Sequence, residues 1–535
     1  MGKSAMLFLI NNYYFIMKAL SLLCLISLII NLREIVGLLK KIERKSAILL
    51  LLIVVLGLVL RMWVIPHTAH DYFDEFEHMN IAQNMAFSGK FFLTLMGTDR
   101  FCQAHAFPHR IPGYHSILAR AFSVFGDSET VAYNLTALIG SFSVPLVFLL
   151  TYLLFNQQGI ALYAAFLFNL IPVHLKYSGA SGLEVPSLFF ILLSYIAALI
   201  YLRQTTLKTL FLLISFTGFA LYLRPENGIL LFFIPFFIFL FSDKAEFNRS
   251  KVIRHISFSL LIFVLALPYL VHIYLDVFTY PAKEWSATLC ERIIRFRRQL
   301  PDNLFFWFSN FTPLPFTLLA IFGIMRLIRE NKKMLIFFSL WFIVLLAVYS
   351  QHINSSFINN PDGDRFSLPM YLTLVIFAGF GLFEALNLSK NKRIAIFLAL
   401  SFILIETFPS LRLSLDRTFS RDIYKEYNFV WDNKDKIPDD TYVLTFAPYF
   451  IISTIHKKAV LPELFLRLED KPETAILLDD FWQDAEALRV YKKIEDQLKK
   501  IYDFKLLSRF SVSQDQNYSF ILLTKKNNVL DADGE

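Results

Sequence analysis

An apolar run followed by an acidic, histidine-bearing stretch decides the fold class of this chain. Residues 47–66 read AILLLLIVVLGLVLRMWVIP, and residues 67–78 read HTAHDYFDEFEH. A helix needs about 20 apolar residues to cross the hydrocarbon core of a bilayer. The first stretch therefore predicts a membrane span, and the second opens a long loop, 67–130, on one side of the membrane.

The composition of the whole chain agrees with this interpretation. Of 535 residues, 56% are hydrophobic and 18% are charged, and the mean hydropathy is +0.51. Soluble domains have about 45–50% apolar and about 25% charged residues. This chain therefore has too few polar residues to form the surfaces of several water-soluble domains. Gly 18, Pro 20 and Cys 3 exclude collagen, low-complexity disorder and a disulfide scaffold. The sequence predicts a polytopic α-helical membrane protein with a modest soluble part.

We predict twelve membrane spans from the apolar segments. The first segment begins almost without charge and lacks a small-residue cleavage site, so it is interpreted as an extra span and not as a signal peptide. The predicted spans are 7–31, 47–66, 131–155, 159–176, 185–202, 208–223, 227–242, 256–275, 312–328, 334–350, 367–388 and 394–409.

The distribution of Lys and Arg predicts the orientation. Basic residues concentrate in the loops that follow spans one, five, seven, nine and eleven, and under a twelve-span count all five loops share one side. That side is predicted to be cytoplasmic, which also accounts for the net charge of +8 without any nucleic-acid partner. The loops 67–130, 276–311 and 351–366 and the tail from residue 410 are then predicted to lie outside.

The tail differs in composition from the rest of the chain. Four short strands are predicted at Thr441–Phe446, Ala475–Leu478, Lys505–Phe510 and Tyr518–Thr524, and a helix at Ala485–Tyr502,. We predict three parts: an extra span and basic loop at 1–46, a transmembrane domain at 47–409, and a small α/β domain at 410–535.

The loop 67–130 is too long for a simple connector, and loops of this length are usually functional. Helical spacing from Asp74 to Met85 predicts a helix whose apolar face lies flat on the membrane surface,. A second interfacial helix is predicted around Tyr114–Phe125.

The acidic residues at the start of that helix have two interpretations. Asp74 can cap the helix, with Glu75 and Glu77 favoured by its positive end. Alternatively, a carboxylate held at the membrane interface is a general base that accepts a proton from an attacking hydroxyl or amine. The residue pattern alone leaves both open.

Histidines are concentrated in the same loop. No HExxH motif or tight ligand spacing accompanies them, so solvent-exposed interfacial histidines are predicted, without a cofactor or metal, and a metal site is the alternative. The six histidines are His67, His70, His78, His105, His109 and His115.

Three more charged positions lie near the predicted outer ends of spans. Glu184 opens span five, where an acid needs a partner or a cavity unless it caps the span. Arg224 lies in the turn Leu223-Arg-Pro-Glu226 and either pairs with Glu226 or faces an anionic ligand. Arg365, with His352 in the same outer loop, is a phosphate-binding candidate. Snorkelling to the interface is the alternative for both arginines.

Five short motifs, in this order, resemble the GT-C glycosyltransferases, in particular the protein mannosyltransferase and aminoarabinose transferase branch (glycosyltransferase family 39/83-like). The resemblance covers about residues 47–409. One departure is Asn134, where family members often have Arg. The motifs are Asp74-Glu75 with Ile81-Ala82, Met85 and Gly89; His109-Arg-Ile-Pro-Gly-Tyr114; Phe125-Gly-Asp-Ser-Glu129; Leu223-Arg-Pro-Glu226; and Asp364-Arg-Phe-Ser-Leu-Pro369.

This resemblance implies transfer of a hexosyl or pentosyl group from a polyprenyl-phosphate donor to a glycan, lipid or protein acceptor. It implies an inverting reaction at the extracytoplasmic face of the plasma (inner) membrane. Asp74 is then the base, beside Glu75, with Glu184 as a second acid. Arg224, Arg365, His352 and Tyr114 are assigned to substrate binding. A secondary transporter or flippase of a lipid-linked or anionic substrate, and a lipid-linked glycan ligase or polymerase, are the alternatives.

Overall fold

The computed structural model describes residues 2–69, 74–98, 101–242, 249–279, 289–351, 356–358, 363–415, 421–479, 485–511 and 517–526. The chain forms two compact units. The first, here called the helical unit, comprises Met1–His70, His109–Ile117 and Thr130–Asp416. The second, here called the sheet unit, comprises Asp71–Pro108, Leu118–Glu129 and Arg417–Glu535.

Helices account for the described secondary structure of the helical unit. A π-helical turn, Leu60–Val64, continues the α-helix that ends at Val59, and 3-10 helices, Pro225–Ile229 and Gly363–Met370, precede the α-helices that begin at Leu230 and Tyr371. The α-helices are α1 (Gly2–Ile30), α2 (Leu32–Leu39), α3 (Arg44–Val59), α6 (Glu129–Phe155), α7 (Gln158–Asn169), α8 (Pro172–Ser178), α9 (Glu184–Arg203), α10 (Leu207–Leu221), α11 (Leu230–Phe241), α12 (Arg249–Thr279), α13 (Leu289–Phe306), α14 (Leu314–Glu330), α15 (Lys332–Tyr349), α16 (Tyr371–Leu388) and α17 (Lys392–Leu415). The helix α5 (Pro112–Phe125) runs from the helical unit into the sheet unit.

The chain is an integral membrane protein. Among the described residues, seven helices are long and apolar enough to cross a membrane, or eight if the pair α7–α8, bent by 60°, forms one span. Three shorter apolar helices, Leu207–Leu221, Pro225–Phe241 and Leu260–Leu275, coincide with further predicted spans. All twelve predicted segments fall on helices, and the count of twelve spans stays a prediction.

The sheet unit contains a seven-stranded sheet in the order β2-β1-β4-β3-β5-β7-β6. The strands β4, β3 and β5 are parallel, and the remaining neighbours are antiparallel. Its elements are α4 (Asp74–Ser88), β1 (Leu93–Gly97), β2 (Cys102–Ala106), α18 (Arg421–Asp432), β3 (Tyr442–Leu444), α19 (Pro448–Ile455), β4 (Ala459–Val460), α20 (Pro462–Leu466), β5 (Thr474–Asp479), α21 (Ala485–Ile501), β6 (Tyr502–Ser511) and β7 (Asn517–Lys525).

The first outer loop contributes two strands to the sheet of the tail. The hairpin β1–β2 joins the tail through β4, with Met96 opposite Val460 and Gly97 opposite Ala459. Met96 is buried in one apolar core with Leu444 and Leu477 of the central strands. The sequence analysis predicted four of the tail strands but neither loop strand, because pairing between segments more than 350 residues apart leaves no local pattern.

The prediction that the helix after Asp74 lies flat on the membrane surface is wrong. Every residue of α4 from Glu75 to Met85 is buried within the protein. The amides of Asn80 and Asn84 bind the start of β1: the Thr94 N–H donates to Asn80 Oδ1 (3.0 Å), and Asn84 Nδ2 donates to the Phe92 carbonyl (2.9 Å). Another face packs on α19, where the Phe76 and Phe450 rings lie 4.8 Å apart. One side of α4 therefore binds the strand through polar side chains, and the other packs on α19 through an aromatic ring. Neither arrangement is that of an amphipathic helix with its apolar face in the lipid.

Candidate functional site

The first part of the site, here called the arginine cluster, consists of Glu184, Arg224 and Glu226. Arg224 lies between α10 and the 3-10 helix Pro225–Ile229, and Glu184 is the first residue of α9. Arg224 Nε and Nη2 each donate to a Glu226 carboxylate oxygen at 3.2 Å. Arg224 Nη1 lies 3.6 Å from Glu184 Oε1, a distance that suits an ion pair but not a hydrogen bond.

In the arginine cluster Arg224 and Glu184 are buried and the Glu226 side chain is 23% exposed, and the cluster carries one more negative than positive group. Arg224 and Glu184 are each 5% exposed. Burial alone lowers the pKa of Arg224, but the Glu226 and Glu184 carboxylates raise it above its usual value, so the guanidinium stays charged,. Of the alternatives for Arg224, pairing with Glu226 is confirmed and snorkelling is wrong, because the side chain points into the protein. Glu184 has a basic partner, as an acid at that depth requires.

Three hydrogen bonds hold the turn that carries Arg224. The Tyr222 carbonyl accepts a hydrogen bond from the Gly113 N–H at 2.6 Å, and the Pro225 carbonyl accepts one from Tyr269 Oη at 2.6 Å. Asn227 Oδ1 accepts from Ser187 Oγ on α9 at 3.0 Å. The turn is therefore tied to α5, α12 and α9.

We expect Gly113→Ala to destabilise the protein. A Cβ at this position would lie 2.1 Å from the Tyr222 carbonyl oxygen, and a backbone atom cannot yield as a flexible side chain does. Overpacking of this kind costs about 1–3 kcal/mol. The measurement is the free energy of unfolding in detergent. The control is Gly37→Ala in α2, where an added Cβ meets nothing within 4 Å; equal effects in both variants would contradict the prediction.

A second ionic group, formed by Lys176, Tyr177 and Asp364, was not predicted. Lys176 Nζ donates to Asp364 Oδ2 at 3.0 Å, and Tyr177 Oη donates to Asp364 Oδ1 at 2.6 Å. All three residues are buried. A usable signal was present in the sequence: Lys176 closes a predicted span, and an ionisable residue within a span needs a partner. The short helix α8 supplies both donors, and the 3-10 helix Gly363–Met370 supplies the carboxylate.

We expect Tyr177→Phe to lower stability by about 1.5–3 kcal/mol, because the lost hydrogen bond ends on a carboxylate. The matched control is Tyr114→Phe, whose hydroxyl shares hydrogen bonds with the neutral Thr136 and Ser181 hydroxyls at 3.0 and 2.9 Å. Neutral hydrogen bonds contribute about 0.5–1.5 kcal/mol. Denaturant unfolding of the two variants measures the difference, and an equal or larger loss in Tyr114→Phe would refute the charged character assigned to Asp364.

Arg365 and Arg224 approach the same aromatic ring. The Phe366 ring centroid lies 5.2 Å from Arg224 Cζ and 5.1 Å from Arg365 Cζ. The Tyr349 ring lies 5.4 Å from Phe366. A guanidinium within about 6 Å of a ring is held by the ring quadrupole. The structure thus brings together Glu184, Arg224 and Arg365, three residues that the sequence placed far apart in the chain.

Two other predicted substrate-binding residues have different outcomes. Tyr114 is fully buried, and its hydroxyl contacts Thr136 and Ser181, which indicates packing between α5, α6 and the segment that joins α8 to α9. His352 lies outside the described residues.

The predicted catalytic acids of the first loop belong to the sheet unit. Asp74 is the first residue of α4 and is half-buried, which agrees with a position at the helix start. Glu75 is 0% exposed. The acid Glu184 belongs to the helical unit.

The prediction of solvent-exposed histidines is wrong for two of them. His78 and His115 are 2% and 0% exposed, since α4 and the start of α5 are buried. Burial lowers the pKa of His115 to about 3, so its ring is neutral at physiological pH. Of the others, His105 and His109 are exposed, His67 is half-buried, and His70 lies outside the described residues.

Comparison with known proteins agrees with this architecture. Residues 108–272, which include Lys176, Glu184 and Arg224, match the model of the dolichyl-phosphate-mannose-protein mannosyltransferase family. An uncharacterized protein of Aquifex aeolicus (strain VF5) is 23% identical over 385 residues, which are 70% of this chain and 71% of that protein.

Two solved structures are similar over most of the chain. One is the archaeal oligosaccharyltransferase AglB from Archaeoglobus fulgidus, in complex with an inhibitory peptide and a dolichol-phosphate; its TM-score is 0.53 at 13% identity, over 92% of this chain and 75% of that chain. The other is ArnT from Cupriavidus metallidurans bound to undecaprenyl phosphate; its TM-score is 0.53 at 12% identity, over 89% of this chain and 97% of that chain.

The fold is therefore that of the GT-C superfamily. Within it, the chain resembles the protein mannosyltransferase and aminoarabinose transferase branch, as the motifs predicted.

Proposed function

We propose that the protein is a membrane glycosyltransferase that moves a sugar from a polyprenyl-phosphate donor to an acceptor at the extracytoplasmic face. The observation that carries this proposal is the buried arginine cluster, which lies within the segment similar to the mannosyltransferase family. A membrane protein that buries charge in this way generally does so at a functional site. The two similar solved structures add support, because AglB is in complex with a dolichol-phosphate and ArnT is bound to undecaprenyl phosphate.

The roles follow from the chemistry of each group. The acceptor hydroxyl or amine attacks the anomeric carbon of the donor sugar, and its proton passes to the Asp74 carboxylate. The bond from that carbon to the phosphate oxygen breaks, and polyprenyl phosphate leaves with the electron pair. Attack opposite the leaving group inverts the anomeric configuration. Arg365 binds the phosphate and stabilises its developing charge.

The arginine cluster orients the phosphate-binding region in this scheme. Arg224 is already paired with two carboxylates. Their negative charges offset that of the guanidinium, so Arg224 attracts a phosphate only weakly. Its guanidinium contacts the ring of Phe366, the neighbour of Arg365. We therefore assign donor-phosphate binding chiefly to Arg365, and we assign to Glu184 the role of holding Arg224.

The proposed placement of the site rests on the predicted orientation of the spans. If the basic loops are cytoplasmic, as the positive-inside rule predicts, Arg224, Arg365 and the loop from residue 67 lie on the outer side. The acceptor is a glycan, a lipid or a protein exposed on that side, and the donor comes from the same membrane.

Transfer by the purified full-length protein tests the proposal. The protein is reconstituted with a polyprenyl-phosphate-linked radiolabelled sugar and with membrane extract as acceptor. Movement of label from the polyprenyl phosphate to a new carrier is expected, with polyprenyl phosphate as the second product. Label that crosses the vesicle membrane while still attached to its polyprenyl phosphate would contradict the proposal and favour a flippase. Mass spectrometry of glycans and glycolipids, with the protein deleted and restored, then identifies the acceptor.

A further inference from the structure

Arg61 is a buried cation with neutral partners. Its side chain is 0% exposed in the π-helical turn Leu60–Val64. Its Nη1 donates to Asn169 Oδ1 (2.6 Å) and to the Gly57 carbonyl (3.1 Å), and its Nη2 donates to His174 Nδ1 (2.9 Å). Within the described part of the chain, no carboxylate forms an ion pair with it, and its Nε has no hydrogen-bond partner. Burying a charge is costly unless hydrogen bonds offset the lost hydration.

Two glycines make room for this guanidinium. A Cβ on Gly57 would lie 2.5 Å from Asn169 Oδ1 and 3.3 Å from Arg61 Nη1. A Cβ on Gly140 would lie 2.5 Å from Ser178 Oγ and 3.3 Å from Arg61 Cδ. Because Gly57 on α3 and Gly140 on α6 have no side chain, Arg61 can reach α7 and α8. The π-turn widens the end of α3 at the same place, a distortion that is frequent at functional sites.

The two side chains that Arg61 binds stand on opposite sides of a helix break. Asn169 is the last residue of α7, and His174 lies in α8, whose axis is bent by 60° from that of α7. A guanidinium is only a donor, so Nδ1 of His174 accepts and its proton is on Nε2. The planar fork of Arg61 thus binds both arms of the bend from two different nitrogens held in a rigid geometry, which the single flexible ammonium of a lysine does not reproduce.

The helix α8, which Arg61 holds through His174, also contacts the 3-10 helix that contains Arg365. Lys176 and Tyr177 lie two and three residues after His174, and both bind Asp364. Asp364 stands beside Arg365 in the 3-10 helix Gly363–Met370. The contacts form one connected series: Arg61, the α7–α8 break, the Asp364 carboxylate and the Arg365 backbone.

We propose that Arg61 is a positioning residue that sets the place of Arg365 through the bent helix pair α7–α8. This inference rests on the proposed function for one point only, the phosphate-binding role of Arg365. The effect of Arg61 on the position of the 3-10 helix Gly363–Met370 does not depend on that function. Arg61 touches no reacting atom in this scheme. It determines how well the phosphate-binding guanidinium is placed before the donor arrives.

Binding of polyprenyl phosphate to the purified full-length protein is the first test. We expect Arg61→Lys to weaken binding about 10-fold. His174→Leu, which removes the acceptor, is expected to do the same. His174→Asn, whose Oδ1 replaces Nδ1 as acceptor, is expected to stay within about 2-fold of the unaltered protein. In an Arg365→Lys background, Arg61→Lys should have less than a 2-fold effect, because residues coupled through one network do not act additively.

Hydrogen–deuterium exchange of the same variants gives a readout that does not need the donor. Arg61→Lys is expected to speed exchange in residues 363–370 and to leave α14 and α15 unchanged. If the unaltered protein binds polyprenyl phosphate and Arg61→Lys binds it equally well, the inference is wrong and the proposed function stands. If the unaltered protein does not bind it, the proposed function fails, and exchange alone decides: faster exchange at 363–370 supports the positioning role, and unchanged exchange refutes it. Exchange that rises throughout the helical unit would show a general structural role and would also refute it.

Discussion

Replacing Asp74 with asparagine is expected to lower the rate of sugar transfer about 10²–10⁴-fold, the usual contribution of a general base. The amide cannot accept the proton of the attacking group at neutral pH. Donor binding should change little, because the phosphate contacts are assigned to the helical unit. The measurement is the initial rate of transfer by reconstituted protein at saturating donor.

This substitution also separates the two interpretations of Asp74. The residue begins α4, and asparagine caps a helix about as well as aspartate. A purely structural Asp74 therefore predicts that Asp74→Asn keeps both stability and transfer. Near-normal transfer would remove Asp74 from the mechanism. The control is Glu463→Gln, an exposed acid of the same unit in α20, which should leave both quantities unchanged.

Replacing Arg224 with methionine is expected to lower the free energy of unfolding by about 3–5 kcal/mol, because it leaves buried carboxylates without their counter-charge. Glu184 is 5% exposed, so water cannot take over the role of the guanidinium. Arg326→Met is the matched control. Arg326 also pairs with two glutamates, Glu384 and Glu330, but its side chain is 35% exposed, and exposed pairs contribute about 0–1 kcal/mol.

A combined variant distinguishes stability from function in the arginine cluster. Removing all three charges, in Arg224→Met/Glu184→Met/Glu226→Gln, is expected to restore most of the lost stability, since apolar replacements of whole buried ion pairs are often neutral. Transfer should remain lost, because Arg224 and Glu184 then no longer order the region around Phe366 and Arg365. Recovery of transfer together with stability would show that the cluster is only structural.

The local sequence pattern was sufficient to select some residues of the candidate site. Arg224, Arg365 and Glu184 were predicted because charged residues at the ends of apolar segments are rare and need partners. The same reasoning applied to Lys176 and Arg61, both within predicted spans, would have selected them as well. Their partners could not be predicted, since Asp364 lies 188 residues after Lys176 and no spacing rule links the two.

Burial was the property that sequence reasoning predicted least well. Helical spacing after Asp74 correctly predicted a helix, but its amphipathic appearance suggested lipid, whereas Asn80 and Asn84 bind the strand β1. A polar side chain on a helix has the same pattern whether it faces water or a backbone that needs hydrogen bonds. The resulting error placed α4 on the membrane surface, whereas the structure buries it within the sheet unit.

By itself the sequence determined that this is a membrane protein, where its apolar helices lie, and which superfamily it resembles. These properties depend on continuous runs of about 15–30 residues. The preference of each side chain for lipid or water can be obtained from such a run alone. Tertiary structure alone decided that the first loop completes the sheet of the tail, that Arg224 is shared by two acids, and that Arg61 ties a broken helix together. Those outcomes depend on which distant segments exclude water from one another, and that is a property of the packed chain and not of any one stretch of it.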